Sequence, residues 1–435
     1  MKKRTRRQKA IIRRRIFLSC CAAVLIAVVA LISFVVNSIS NVSPKNNSSK
    51  NNPTTSKTEV SESYATVLSI GDIMAHSTQI TGAKTGDGYD FSGYFKETSS
   101  YYKKADLAIG NLELTFGGIE SGSYRGYPTF NTPDQLADAI KNSGISFLMT
   151  ANNHSYDTKL LGLKRTVSVL EEKGIAYTGT RKTEDTPIYA IKEVNNIKIG
   201  IVNFTYETQA VIEGRKYLNG LLLATEAESL VNTFSYQDIN AFYTKAKDVI
   251  KNMKKQGAEY ITFYMHWGEE YQLKANTWQK SIAQNLSNMG VDMIIGGHPH
   301  VVQPMELIHS EDGENTTVCI YSLGNAISNQ RRELISNSKN GHTEDGVMFS
   351  YTLKKSKNGE VSLVDVDLIP TWVNKTTSSG KAQYTIYPIE SLEKAKQKYP
   401  NIYSKLEESY NRTKTTVSGG LTECQKAIGC DITFK

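Results

Sequence analysis

Short apolar runs alternate with helical periodicities from about residue 65 onward, the pattern of an α/β protein. ATVLSIGDIM (65–74) and ADLAIGNLE (105–113) read as strands that end in Gly-Asp and Gly-Asn turns. TPDQLADAIKNSG (132–144) has a Thr-Pro start, apolar residues at Leu136 and Ile140, and a Gly stop, which predicts a helix. ISFLMTANNH (145–154) is a strand running into polar residues, and 158–173 is a helix closed by Gly174. IKIGIVNFTY (197–206) is a strand, 236–256 a long helix stopped by Gly257, and EYITFYMHWGEE (259–270) a strand again. A helix over 276–289 and the strand VDMIIGGHPH (291–300) follow. TVCIYSLGN (317–325), GVMFSYTLKK (346–355) and VSLVDVDLIPTWV (361–373) are strands without clear helices between them, so the late part is expected to be more antiparallel. No internal repeat is visible.

The amino-terminal pattern differs. Residues 16–36, IFLSCCAAVLIAVVALISFVV, are uncharged and almost wholly apolar, and about twenty such residues cross a bilayer as a helix. A signal peptide has a shorter apolar stretch and a small-residue cleavage site, so the expectation is an uncleaved anchor. The basic segment 1–15 belongs in the cytoplasm by the positive-inside rule, which makes the chain single-pass with its main domain outside the cell membrane. Cys20 and Cys21 stand at the start of the apolar run, not after it, which excludes a lipoprotein acceptor cysteine. Residues 37–62 are rich in Ser, Asn and Thr, lack aromatics, and read as a flexible linker.

Charge changes the picture only by being local. The net charge is +8, but residues 1–15 hold nine Lys/Arg and no acid, and removing those nine leaves −1. The body therefore lacks the basic excess that nucleic-acid binding needs. Cys319 lies in an apolar run and reads as a buried small residue. Cys424 and Cys430, in an oxidising compartment, allow either a small disulfide loop or two free thiols.

Candidate chemistry gathers where apolar strands stop. Five strand ends carry Asp72 and His76; Asn111 and Glu113; Asn152, Asn153, His154 and Asp157; His266, Glu269 and Glu270; and His298 with His300. In open α/β sheets the carboxyl ends of the strands form the ligand crevice, so these groups are expected to converge. Imidazole and carboxylate suit zinc, manganese or iron, and no CxxC pair offers a thiolate site. A carboxylate such as Glu113 can bridge two cations. Asn111, Ser322 and Asn325 read as turn-forming or ligand-orienting residues, and Trp267 as packing. Arg125, in a Gly-flanked loop, is either a carboxylate or phosphate contact or a surface arginine. Asp157 is either a helix N-cap or a catalytic group. GDGYDFSGYF (86–95) is either a lid or a long turn with aromatic anchors.

SIGDIM, GNLE, TANNHSYD, HWGEEY, GGHPHVVQP and YSLGN occur in that order, with RGYPTFNTP (125–133) and NNIKIGIVNFTY between them. Together, over about residues 64–370, they resemble the CapA family of capsule-synthesis proteins, the PgsA-type proteins of poly-γ-glutamate biosynthesis. That family is similar to calcineurin-like metallophosphoesterases, which implies a four-layer α-β-β-α sandwich with divalent metal ions at the strand ends. The resemblance implies metal ligation by Asp72, Glu113, Asn153, His266, His298 and His300. It implies catalytic roles for His154, as proton donor, and for Glu113 at the bridging position. Arg125 and Glu270 are expected to meet substrate, and His76, Asn111 and Asn325 to support the ligands.

Two positions depart from the wider pattern. Asp-x-His is here Asp72-Ile73-Met74, and the bridging aspartate is Glu113. These leave open one metal or two, and binding without turnover. The resulting organisation is a tail (1–15), an anchor (16–36), a linker (37–62), a CapA-like domain (63–375) and a carboxyl-terminal extension (376–435) with the option of packing on it. Three functions are carried forward. The first is a role in capsule or poly-γ-glutamate synthesis, with the membrane, an anionic surface polymer and membrane-bound synthesis proteins as partners. The second is metal-dependent hydrolysis of phosphoester or amide bonds. The third is a non-catalytic polymer-binding scaffold.

Overall fold

The computed structural model describes residues 61–336, 338, 340–428 and 433–435. The expected tail and anchor, most of the linker, and Cys430 lie outside the described residues. Among the described residues no helix is long and apolar enough to cross a membrane.

The strands in chain order are β1 (Ser63–Ile73), β2 (Leu107–Leu112), β3 (Phe147–Met149), β4 (Ala176–Thr178), β5 (Tyr189–Val194) and β6 (Ile197–Tyr206). Then come β7 (Tyr217–Leu218), β8 (Leu221–Leu222), β9 (Thr233–Phe234), β10 (Tyr260–His266), β11 (Met293–Gly297) and β12 (Met305–His309). The last six are β13 (Thr316–Ile320), β14 (Asn325–Ile327), β15 (Asp345–Lys355), β16 (Val361–Ser378), β17 (Lys381–Pro388) and β18 (Thr433–Phe434). Helices used below are α1 (Ser77–Ala83), α2 (Ser99–Lys104), α3 (Gln135–Ser143), α4 (Lys159–Glu172), α5 (Ile239–Lys255), α6 (Thr277–Asn288), α7 (Leu392–Lys398) and α8 (Tyr403–Ile428).

Two sheets form. The first runs β17-β16-β15-β1-β2-β3-β4, with β14 beside β1 and β18 beside β16; the second runs β12-β13-β11-β10-β6-β5, with β9 beside β6. β1 to β4 are mutually parallel, as are β6, β10, β11 and β13. β15, β16 and β17 pair antiparallel, which accounts for the missing helices late in the chain.

Side-chain alternation along the strands decides the layers. In β1, Ala65 and Val67 face a core shared with Ile199, Tyr264 and Ile295 of the other sheet. Leu68 and Ile70 face outward, onto Leu136 and Ile140 of α3 and Leu170 of α4. In β10, Tyr264 points between the sheets, while Phe263 and Met265 point outward, onto Phe242 and Ile250 of α5 and Ile282 and Leu286 of α6. The order is thus helix, sheet, sheet, helix. The predicted helices end as their glycines require: Gly144, Gly174 and Gly257 all take left-handed backbone after α3, α4 and α5.

The boundary expected at residue 375 falls inside β16, and residues 381–388 return as β17 to pair along it. Ser379 and Gly380, both at positive φ, make that hairpin turn. α8 then lays Val417, Leu421 and Cys424 into the core between the sheets. Its approach to β12 is so close that a Cβ on Gly420 would stand 1.6 Å from the Met305 carbonyl oxygen. The loop 86–95 is held by buried Phe91, Tyr94 and Phe95, which makes it an anchored turn.

Candidate metal centre

Parallel pairing brings both sheets' carboxyl ends to one edge. Asp72 is in register with Asn111 of β2 and Asn325 of β14, and His266 with Gly297 of β11. β1 and β14 can approach this closely only because residue 71 is glycine, since a Cβ there would lie 1.8 Å from the Gly324 oxygen.

Asp72, Glu113, Asn153, His154, His266, His298 and His300 are all buried. Glu113, His298 and His300 each offer a ligand atom within 4.8 Å of the others, and so do Asp72, Glu113 and His266. Glu113 belongs to both groups. Its Oε1 is 3.4 Å from His266 Nε2 and 3.7 Å from His300 Nε2. His266 Nε2 is 2.8 Å from Asn153 Oδ1. Asp72 Oδ1 accepts from the Asn111 amide at 2.7 Å, and its Oδ2 accepts from the His298 backbone N–H at 3.2 Å. His298 and His300 flank Pro299 with φ of 95° and 56°, left-handed values that non-glycine residues adopt at a strain cost of about 1–3 kcal/mol.

Three of the site's buried atoms have no hydrogen-bond partner: both Glu113 carboxyl oxygens and His298 Nδ1. Burial pushes the Glu113 carboxyl well above the carboxylate range, and the negative charges of Asp72 and Glu270 push the same way. Burial also lowers His266 to about 3 and depresses His298 strongly. His300 goes up against its own burial, because it bonds to the Asp72 carboxylate. Two imidazoles held neutral (His266 and His298), a third bonded to Asp72, and a buried carboxyl without a hydrogen-bond partner form a donor set complementary to a divalent cation. The residues present therefore fit such an ion.

Supporting residues arrange these ligands. Asn325 Oδ1 is 3.1 Å from His300 Nδ1, and its amide donates to the His300, Thr343 and Gln330 oxygens. Asn111 Nδ2 lies 3.3 Å from His266 Nδ1. Trp267 is fully buried and donates to the Tyr321 carbonyl, so it packs. Ser322 Oγ accepts from the Gly324 N–H.

His154 forms a second feature. Its Nδ1 is 2.7 Å from Asp157 Oδ2, which also accepts from the Phe130 N–H at 2.6 Å. Asn219 donates to Asp157 Oδ1 at 3.1 Å and to the Pro128 carbonyl at 2.9 Å. Asp157 thus serves His154, while Thr158 occupies the N-cap of α4.

Other candidates sit elsewhere. Met74 is in the core, and His76 Nδ1 accepts from the Asn329 backbone N–H at 3.2 Å, so neither replaces the absent Asp-x-His ligand. The His76 ring packs on Phe130, which packs in turn on His154. Arg125 is tied into its own loop through Thr129 Oγ1 and the Ser123 carbonyl. Glu270 is exposed, and its charge also reaches Tyr206 and Tyr271. Those tyrosines were not foreseen. The Tyr206 ring lies 4.8 Å from His298, and the Tyr271 ring 6.3 Å from His300. The available signal was position: Tyr206 closes the predicted strand 197–206, and Tyr271 follows HWGEE.

Fold and site define a two-sheet α/β protein with a histidine–carboxylate centre at its strand ends. Residues 66–330, more than half of the chain, match the family of the bacterial capsule synthesis protein PGA_cap, and the chain belongs to that family. It is 26% identical over 309 residues to the capsule biosynthesis protein CapA of Bacillus anthracis, covering 70% of this chain and 67% of that one. It is 24% identical over 305 residues to the PGA biosynthesis protein CapA of Bacillus subtilis (strain 168), covering 69% and 70%. The structure of Haemophilus influenzae NAD nucleotidase (NadN) superposes with a TM-score of 0.42 at 13% identity, over 85% of this chain and 68% of that one.

Proposed function

We propose that this protein is held at the cell membrane by residues 16–36 with its folded domain outside. There it takes part in capsule or poly-γ-glutamate synthesis through a centre for one or two divalent cations: manganese, iron or zinc. One observation carries the metal reading: Glu113 is buried with neither oxygen hydrogen-bonded, between His266 and His300. Leaving an ionised carboxylate so placed costs several kcal/mol unless a cation offsets it. Family membership and the two CapA relatives support the polymer role. The partners are then the membrane, an anionic surface polymer and membrane-bound synthesis proteins. The charge of −1 outside the basic tail argues against nucleic acid.

The His154–Asp157 pair favours hydrolysis of a phosphoester or amide over passive binding. Divalent cations supply Lewis acidity toward a phosphoryl or carbonyl oxygen. The chain's own part is proton handling. Asp157, fixed by the Phe130 N–H and Asn219, holds the His154 Nδ1 proton, which leaves Nε2 to exchange a proton with a leaving group. Asp72, buried beside Asn111 and His298, keeps its carboxylate ionised through its His300 bond in spite of burial.

Elemental analysis of the purified full chain tests the centre. At least one equivalent of manganese, iron or zinc is expected, and the His298→Ala, His300→Ala double variant should lose it. Metal retained by that variant overturns the assignment. Turnover of a phosphoester or γ-glutamyl amide by the loaded protein would separate hydrolysis from a scaffold role.

A further inference from the structure

A cavity of about 610 Å³ opens one residue beyond Tyr206, walled by residues 207–216, by β9 and by the amino-terminal half of α5. Its volume suits a ligand of several residues. Its charges are unequally matched. Arg215 bonds to Glu228 at 2.7 Å. Lys216 is shared between Glu207 at 3.4 Å and Thr233 Oγ1 at 3.0 Å. Lys245 has no such partner: among the described residues no carboxylate lies within ion-pair distance, and its ammonium rests 5.4 Å from the Phe204 ring centroid. It is largely buried, and burial together with the charges of Lys216 and Arg181 holds it down to about 8 against the weaker attraction of Glu207. Arg181 is buried as well, bonded to Asn232 Oδ1 and to the Ser229 carbonyl, both uncharged acceptors.

A largely buried ammonium that faces a cavity with no carboxylate in ion-pair contact is suited to an anion from outside. Glu207, Glu213 and Asp238 also line the cavity and disfavour a compact dianion at one point, while the exposed Val211 side chain offers an apolar surface for methylene groups. We infer that this cavity binds a segment of a polycarboxylate chain, with Lys245 as the counterion of one carboxylate and Val211 packing on its methylenes. The inference extends the polymer reading above and rests on it only for the ligand's identity. It gives the chain a place to hold polymer, starting one residue beyond the tyrosine that packs on His298.

The test is acylation of the full-length wild-type protein in detergent, with each lysine's rate read by mass spectrometry. Tri-γ-glutamate should slow modification of Lys245 at least fivefold and leave distant lysines unchanged. Inorganic phosphate, and the tri-amide analogue at matched ionic strength, should not protect. Equal protection by phosphate, or none by tri-γ-glutamate, overturns the inference. By calorimetry, K245Q and K245M should bind tri-γ-glutamate at least tenfold more weakly with unchanged metal content; wild-type affinity in either overturns it. Repeating the footprint in chelator separates the two readings. Protection that survives metal removal keeps the cavity whatever becomes of the centre, and a metallated protein without protection refutes the cavity alone.

Discussion

Replacing Glu113 with Gln should change stability in opposite directions with and without metal. In the metal-free protein the substitution replaces a carboxyl whose two oxygens are buried without a hydrogen-bond partner and whose ionisation is opposed by burial, Asp72 and Glu270. A buried group left unsatisfied costs about 1–3 kcal/mol. Chelated Glu113→Gln should therefore melt higher than chelated wild type, by about 2–6 °C at the ~2 °C per kcal/mol of a large domain. With metal at a hundredfold excess over its dissociation constant, the wild type gains about 2.7 kcal/mol, or ~5 °C. The variant lacks the one ligand common to both groups, Glu113, and should gain little. The order of the two melting temperatures then reverses. Differential scanning calorimetry on both proteins, in chelator and in manganese or zinc, reads all four values. A chelated wild type that is already the more stable would show Glu113 satisfied by protein contacts alone and refute the reasoning.

Three further outcomes follow from the same structure. Lys245 is depressed from 10.5 to about 8 by burial, so the unfolded chain binds more protons between those values. Stability should rise with pH across that window. Lys245→Met should be up to about 3 kcal/mol more stable than wild type at pH 7, and urea melts should find that advantage gone by pH 10.5. In α8, Gly419 has open space around it while Gly420 abuts Met305. Gly419→Ala should therefore stabilise by about 0.5–1 kcal/mol and Gly420→Ala should destabilise by about 1–3 kcal/mol, a difference in sign readable by denaturant titration. Asp157→Asn should leave metal content unchanged yet lower turnover about 10²–10⁴-fold on whichever substrate the loaded enzyme accepts, because His154 loses its fixed proton; unchanged turnover would remove His154 from proton transfer.

What could be read from the chain follows from where physics is local. Parallel strands deliver their carboxyl ends to one edge, so Asp72, Glu113, His266 and His298 were legible as a cluster from pattern alone. Distances between them were not, since the left-handed turns at His298 and His300 answer to the sheet around them. The fate of His76 shows the limit. Four residues past Asp72 it looked able to stand in for the absent histidine, but β1 ends at Ile73 and His76 caps α1, where the Asn329 N–H claims its Nδ1. Tyr206 and Asn219 were illegible for another reason: a phenol at a strand end reads as packing, and an Asn-Gly pair reads as a turn. Asn219-Gly220 is indeed the turn between β7 and β8, yet its side chain also fastens Asp157. The carboxyl-terminal helix inverts the usual rule. Two adjacent glycines argue against a helix interior, but α8 runs through them because Gly420 permits contact with Met305, and the apolar residues around it fill the mouth of the sandwich. Local propensity was outweighed there by burial that only the assembled sheets provide, and of the options open for residues after 375 the packed one matches the contacts of β17 and α8.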